Sequence, residues 1–287
     1  MRVGSRGAAV RCSTSVGTAC LVLVAAAAFS GCGTRSTSPA AGTFTPATPG
    51  VLTVATSDVP SPGFWEGTPT HLTGGFEYEL ALALADRFDL RSVRIKIVSF
   101  HRVVAGDLDG ADLALDLITP TDARKEHLDF STPYLNEAPT VVVRSGTSIS
   151  DLATAQDLQW GAIRSTTFVD LIDDLVAPDD PVRIYDDQHA ETLALLRGQI
   201  DAAMYDLPSA VAIADNSHGR LDAAAQLPQP ENIAAALPEG SDNAQAVDSA
   251  MRAFIADGTV HDLLEDWVGS DAANASKSIP LLHTTLS

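Results

Sequence analysis

From Val51 onward, short runs of β-branched and apolar residues take turns with longer stretches whose apolar residues recur at helical spacing. This alternation constrains the fold more than any other feature. "VLTVATS" (51–57) is followed by "FEYELALALADRF", where Phe76, Leu80, Leu84 and Phe88 share one helical face. A strand "VRIKIVSF" (93–100), a short helix near "HRVVAGDL" and a strand "ADLALDLI" (111–118) complete a first cycle. A second begins after Tyr134, with strands "TVVVRSG", "QWGAI", "VRIYD" and "IDAAMYD" separated by helices "ISDLATAQDL", "TTFVDLIDDLV" and "HAETLALLRG". Helix "PSAVAIADNS", strand "IAAALPEG", and helices "NAQAVDSAMRAFIADG" and "VHDLLEDWV" follow. Strand–helix alternation of this kind predicts parallel α/β sheets. The end, "AANASKSIPLLHTTLS", has no clear period and reads as a loose tail.

The residues before Val51 read differently. Arg2, Arg6 and Arg11 precede an apolar core, "ACLVLVAAAAF", too short to span a bilayer comfortably. It runs into "FSGC", which resembles a bacterial lipobox, implying cleavage before Cys32 and lipid on that residue. "GTRSTSPAAGTFTPATPG" (33–50) has almost no apolar bulk and reads as a flexible tether. Loss of the leader takes three arginines and no acids, moving the formal charge from −19 to −22. Cys12 and Cys20 leave with the leader, so the exported protein has no intramolecular disulfide and no thiolate zinc site. Such a negative chain without a Lys/Arg cluster is a poor partner for nucleic acid.

Several short motifs, taken in order, resemble the bacterial extracellular solute-binding proteins of family 3, the polar-amino-acid receptors of ABC importers. They are "GGFEYELALALADRF", "TPTDARKEHLDFSTPY", "GQIDAAMYD" and "FIADGTVHDLLEDWV". The resemblance covers Val51 to about Gly269. It implies a type II periplasmic-binding-protein-like fold: two α/β lobes joined by a two-strand hinge, with the ligand between them. The expected organisation is a signal peptide (1–31), lipidated Cys32 and linker (32–50), first lobe (51–138), second lobe (139–234), first-lobe return (235–271) and tail (272–287). The implied function is extracytoplasmic capture of a polar amino acid for an ABC permease by a lipid-anchored monomer without cofactor or metal.

An amino acid offers a carboxylate, an ammonium and a side chain. Arg124 supplies a guanidinium able to grip a carboxylate in bidentate fashion. Thr119 lies at a strand end, where ligands of α/β sheets bind. The resemblance assigns the α-carboxylate to Arg124. Thr166 and Thr167, in a strand-to-helix turn, offer hydroxyls and backbone N–H groups to an anion, with Ser165 where the family has glycine. Asp206 matches the family's acceptor for the ammonium, or else caps the helix that starts near Pro208. "SFHR" resembles the family's acidic-amino-acid branch, which implies that Ser99 and Arg102 read the side chain, while Asp58 lies where that branch can carry a second cation and other branches an acid. Asp58 and Arg102 either face the ligand together, which suits an amide and favours glutamine or glutamate, or pair with each other. Phe64 or Trp65 is expected to supply an apolar face, and Gln188 a further polar contact.

The rival classes are an enzyme on the same scaffold (a dehydratase or murein lyase) and a ligand sensor. The chain has no G-x-S-x-G, phosphate loop or H-E-x-x-H, and its seven histidines are scattered, so a binding role is expected. Glu137 is the carboxylate to watch for catalysis.

Overall fold

The computed structural model describes residues 42–149, 151–269 and 277–282. The chain opens with β1 (Val51–Thr56) and a small hairpin, β2 (Glu66–Thr68) and β3 (His71–Gly74). Helix α1 (Phe76–Arg87), β4 (Ser92–Ile97), α2 (Phe100–Val103), β5 (Leu113–Ala114) and β6 (Leu128–Phe130) follow. After β7 (Leu135–Glu137) come β8 (Pro139–Arg144), α3 (Leu152–Gln156) and β9 (Trp160–Ile163). Helix α4 (Thr167–Leu171) continues into one wide π turn (Ile172–Val176) before β10 (Arg183–Tyr185), α5 (Gln188–Leu196), β11 (Ala202–Asp206) and α6 (Leu207–Asn216). The last elements are β12 (Leu221–Gln226), β13 (Glu231–Ile233), β14 (Ala236–Pro238), α7 (Ala244–Asp257) and α8 (Thr259–Trp267).

These strands form two five-stranded sheets, ordered β4-β1-β5-β14-β6 and β10-β9-β11-β8-β12. β7 and β13 pair separately as an antiparallel ribbon, with Glu231 opposite Glu137, where the chain passes from one sheet to the other and back. The molecule is thus two α/β lobes on a two-strand hinge. The central strands β1, β8 and β11 are buried on both faces, which explains why they read as nearly unbroken apolar runs. In β1, Leu52 and Val54 face one cluster of buried side chains while Ala55 faces another. Val141 and Val143 of β8 likewise face away from Val142.

Several expectations change. The 111–118 run narrows to the two residues of β5, because Leu117 takes a left-handed φ of 49° that ends the strand. β12 was not expected: its Ala-rich segment has weak strand propensity, and pairing with β8 imposes the strand. The tether ends sooner than its composition implies. Phe44 stacks on Phe88 with ring centroids 4.4 Å apart, and the Ala47 N–H donates to Asp112 at 2.6 Å. The tail is not loose where it is described. Leu282 is buried in the second lobe, and Pro280 O and Leu282 N–H bond the backbone of Gln226, each at 2.8 Å. Cys32 and the leader lie outside the described residues. Among the described residues, no helix is long and apolar enough to cross a membrane.

Candidate functional site

A cleft lies between the lobes where the strands of both sheets end, enclosing about 620 Å³ with its solvent-filled mouth included. The first lobe contributes Asp58 after β1, Phe100 at the start of α2, Asp116 and Thr119 after β5, and Arg124. The second contributes Thr166 and Thr167 after β9, Gln188, and Asp206 at the end of β11; the hinge adds Glu231.

The centre of this arrangement is Arg124, only 7% exposed. Its Nη1 donates to the Thr119 carbonyl of its own lobe at 2.8 Å and its Nη2 to the Ser165 carbonyl across the cleft at 2.9 Å. Its Cζ sits 5.3 Å from the centre of the Phe100 ring, a cation–π contact. Burial pushes the guanidinium down to about 10, against the pull of Glu231, Asp206, Asp116 and Asp170. Ser165 reaches Arg124 because it adopts a φ of 65°, the left-handed conformation natural to the glycine it replaces.

Glu77, buried in α1, explains why the strand end has its shape. Its Oε1 accepts from the Tyr134 hydroxyl at 2.5 Å and the Leu117 N–H at 3.0 Å; its Oε2 accepts from the Trp65 indole at 2.8 Å. One carboxylate therefore ties the helix opening, the Pro-Tyr turn and the left-handed Leu117 together beneath the cleft. Burial raises its pKa against those three donors.

Glu231 joins both walls. Its Oε2 accepts from Thr167 Oγ1 at 2.8 Å and Thr119 Oγ1 at 3.4 Å. The Thr166 hydroxyl instead donates to the Ile163 carbonyl at 2.8 Å. Asp206 precedes α6 without capping it by its side chain, so its carboxyl is left for the cleft. Burial, then Glu231 and Glu137, push its pKa well up. Asp58 is raised by burial and by Asp187, while the Gln188 N–H pulls it back.

The structure therefore brings Asp58, Thr119, Arg124, Thr166, Thr167, Gln188 and Asp206 together. It does not bring in four expected residues. Arg102 is exposed and its Nε and Nη2 both bond Asp107, at 2.9 and 2.7 Å, so it neither faces the cleft nor pairs with Asp58. Ser99 is the N-cap residue of α2, and the neighbouring Phe100 lines the cleft instead. Phe64 and Trp65, at 0% and 1% exposure, belong to the first-lobe core, where Trp65 serves Glu77. Their apolar role at the cleft falls to Phe100 and Phe168. Asp116, Tyr205, Ser209 and Glu231 line it as well and were not anticipated. "SFHR" held the signal for Phe100; Glu231 gave none, because its position depends on the hinge register.

Comparison with known proteins matches this architecture. The L-cystine-binding protein TcyJ of Escherichia coli (strain K12) is 29% identical over 227 residues, covering 77% of this chain and 84% of TcyJ. The membrane-bound lytic murein transglycosylase F of Pseudomonas fluorescens is 31% identical over 169 residues, but these cover 55% of this chain and 33% of that protein. The solved structure of an ancestral arginine-binding protein bound to glutamine superposes with a TM-score of 0.68 at 25% identity, covering 77% of this chain and 99% of that one. The description of bacterial extracellular solute-binding proteins, family 3, matches residues 52–270, and the chain belongs to that family.

Proposed function

We propose that this chain is the extracytoplasmic receptor of an ABC importer, closing its two lobes around a polar amino acid and presenting it to the permease. The observation that carries the reading is Arg124: a buried guanidinium bonded to carbonyls of both lobes, with Asp206 in the same cleft. The cation receives the α-carboxylate and Asp206 the α-ammonium, with Thr119, Thr166 and Thr167 supplying hydroxyls. Relatives named for cystine and arginine binding support the amino-acid class.

Glutamine or glutamate was favoured on the joint action of Asp58 and Arg102. With Arg102 engaged by Asp107, glutamate loses the cation it needed, while a glutamine amide retains Asp58 as an acceptor. The reading is of a receptor rather than an enzyme, held at the outer face of the cytoplasmic membrane by lipid on Cys32. A thermal-shift screen of the twenty amino acids tests it, because a ligand that binds only the folded state raises the melting temperature. A clear rise with at least one amino acid, without turnover of it, is expected. No rise with any of them would remove the proposal.

A further inference from the structure

Leu117 lines the cleft in a backbone conformation that its side chain disfavours. Six described non-glycine residues take a left-handed φ, and Leu117, at 49°, is the one aliphatic residue among them larger than alanine. In this region the Cβ crowds a backbone carbonyl, so an L-residue stays there only where its surroundings hold it.

The neighbours of Leu117 are pinned on both sides. Asp116 Oδ1 accepts from the Thr56 hydroxyl and from the Ser57 N–H and hydroxyl, each at 3.0 Å. The Ile118 carbonyl accepts from the Ala234 N–H at 3.0 Å, and the Thr119 carbonyl from Arg124 Nη1 at 2.8 Å. The turn at Leu117 therefore decides where Thr119 stands and, through its carbonyl, where the guanidinium of Arg124 is held. At the turn itself, the Leu117 N–H donates to Glu77 Oε1 at 3.0 Å.

Glu77 is 1% exposed and is not among the residues that line the cleft. The Trp65 indole and the Tyr134 hydroxyl fix its carboxylate in place. Tyr134 leads into the hinge, its own N–H donating to the Ile233 carbonyl at 2.9 Å.

We propose that Glu77 is a positioning residue for ligand binding: its carboxylate holds Leu117 left-handed, and the held turn keeps Thr119 and Arg124 aimed at the α-carboxylate of the amino acid. This rests on the reading of the cleft as an amino-acid site and adds to it a residue that acts without touching the ligand. Without that acceptor, Leu117 relaxes toward ordinary backbone and only a fraction of molecules present the competent turn. The apparent Kd rises by the inverse of that fraction. Glycine at the same position adopts the left-handed conformation without a Cβ clash, which makes the acceptor dispensable.

The test is calorimetric titration of the purified full-length protein with L-glutamine, L-arginine and L-cystine, the tightest of the three for the wild type being carried through the variants. In Glu77→Met, which keeps bulk but removes both accepting oxygens, Kd is expected to rise about tenfold or more. In a Leu117→Gly background the same substitution is expected to cost about threefold or less, the difference measuring the coupling of the two positions. Loss of a merely structural core residue would not be rescued by glycine in the cleft. Tyr134→Phe, which leaves the Leu117 bond in place, is expected to bind about as tightly as the wild type. An unchanged Kd in folded Glu77→Met overturns the proposal, as does an equal loss in both backgrounds. A loss as large in Tyr134→Phe overturns it too, because the effect would then pass through the hinge. Each of these outcomes leaves the amino-acid receptor standing. Binding of none of the three, nor of any other common amino acid, overturns the receptor reading and this proposal with it. Should Glu77→Met fail to fold, amide hydrogen exchange of the wild type decides: the Leu117 N–H is expected to exchange as slowly as the amides of β1, and exchange at the rate of an unbonded loop amide overturns the proposal.

Discussion

Replacing Arg124 by methionine separates what the residue does for the ligand from what it does for the fold. For the ligand, the loss leaves a desolvated α-carboxylate without its cation, which costs about 3–5 kcal/mol, or a few hundred- to a few thousand-fold in Kd. For the fold, the sign differs. The guanidinium sits at about 10, well below its usual value, because burial disfavours its charge. That corresponds to about 3 kcal/mol charged against the folded state at neutral pH. The sum is constant across the neutral range, since a depressed base relieves its cost only above about 10. Methionine removes this cost but orphans the carbonyls of Thr119 and Ser165, at about 1–3 kcal/mol each unless cleft water reaches them. The two effects oppose each other and leave a net cost of about 3 kcal/mol at most. The melting temperature of the empty protein should therefore fall by no more than about 10 °C, at about 2–4 °C per kcal/mol for a protein of this size. Calorimetric titration with the tightest-binding amino acid, and thermal unfolding without it, measure the two halves. An unchanged Kd would remove Arg124 from ligand contact, and a fall of more than about 10 °C would refute the desolvation argument.

Glu231→Gln removes a negative charge from beside the carboxylate-binding cation while keeping an acceptor for Thr167, so binding of amino acids should tighten several-fold by calorimetry; weaker binding would make Glu231 a closure element instead. Asp116 and Glu191 are raised to about 8 and Glu137 to about 7, chiefly by burial, so their stabilising neutral forms are complete at low pH and lost as pH rises through those values. Urea midpoints should accordingly be higher at pH 5.5 than at pH 8.5; the lowered acids Asp107, Asp248 and Asp257 reverse the trend only below about pH 4. Gly75 has a φ of 114°, and an added Cβ would strike the Phe64 carbonyl, so Gly75→Ala should destabilise the first lobe by about 2 kcal/mol or more in the same urea assay. Cys32→Ala should move the protein from the membrane fraction to the soluble one without altering its melting temperature.

Local chemistry was legible where a residue's role depends on its immediate neighbours. Asp206 ends β11, and Thr119 and Arg124 lie in the segment between β5 and β6; each was recognisable from a few residues, and each lines the cleft. Arg102 misled because its partner is also local but unmarked. Asp107, five residues on, captures two of its N–H groups in the loop after α2. Phe64 or Trp65 was expected to supply the apolar face because relatives often stack an aromatic where this chain has Ser61, yet burial drew both to the core, where the Trp65 indole found Glu77. Asp116 and Glu231 could not be anticipated, because what distinguishes them is set across the fold. One has an oxygen sealed from every donor; the other stands opposite Glu137 in the hinge register. β12 lay beyond reach for a similar reason, since alanines become a strand only when β8 is beside them.

β12 is the last strand of the second sheet, and its outer edge would ordinarily offer unpaired N–H and carbonyl groups to a strand from another molecule. The described tail lies against that edge: Leu281 bridges Gln226, and the backbone bonds from Gln226 run to Pro280 and Leu282. Proline has no N–H to pass on, so the segment that extends the sheet also offers a broken ladder to anything beyond it. These few residues act as an end-stop at the Gln226 end of that edge, where another strand would otherwise find a free N–H and carbonyl.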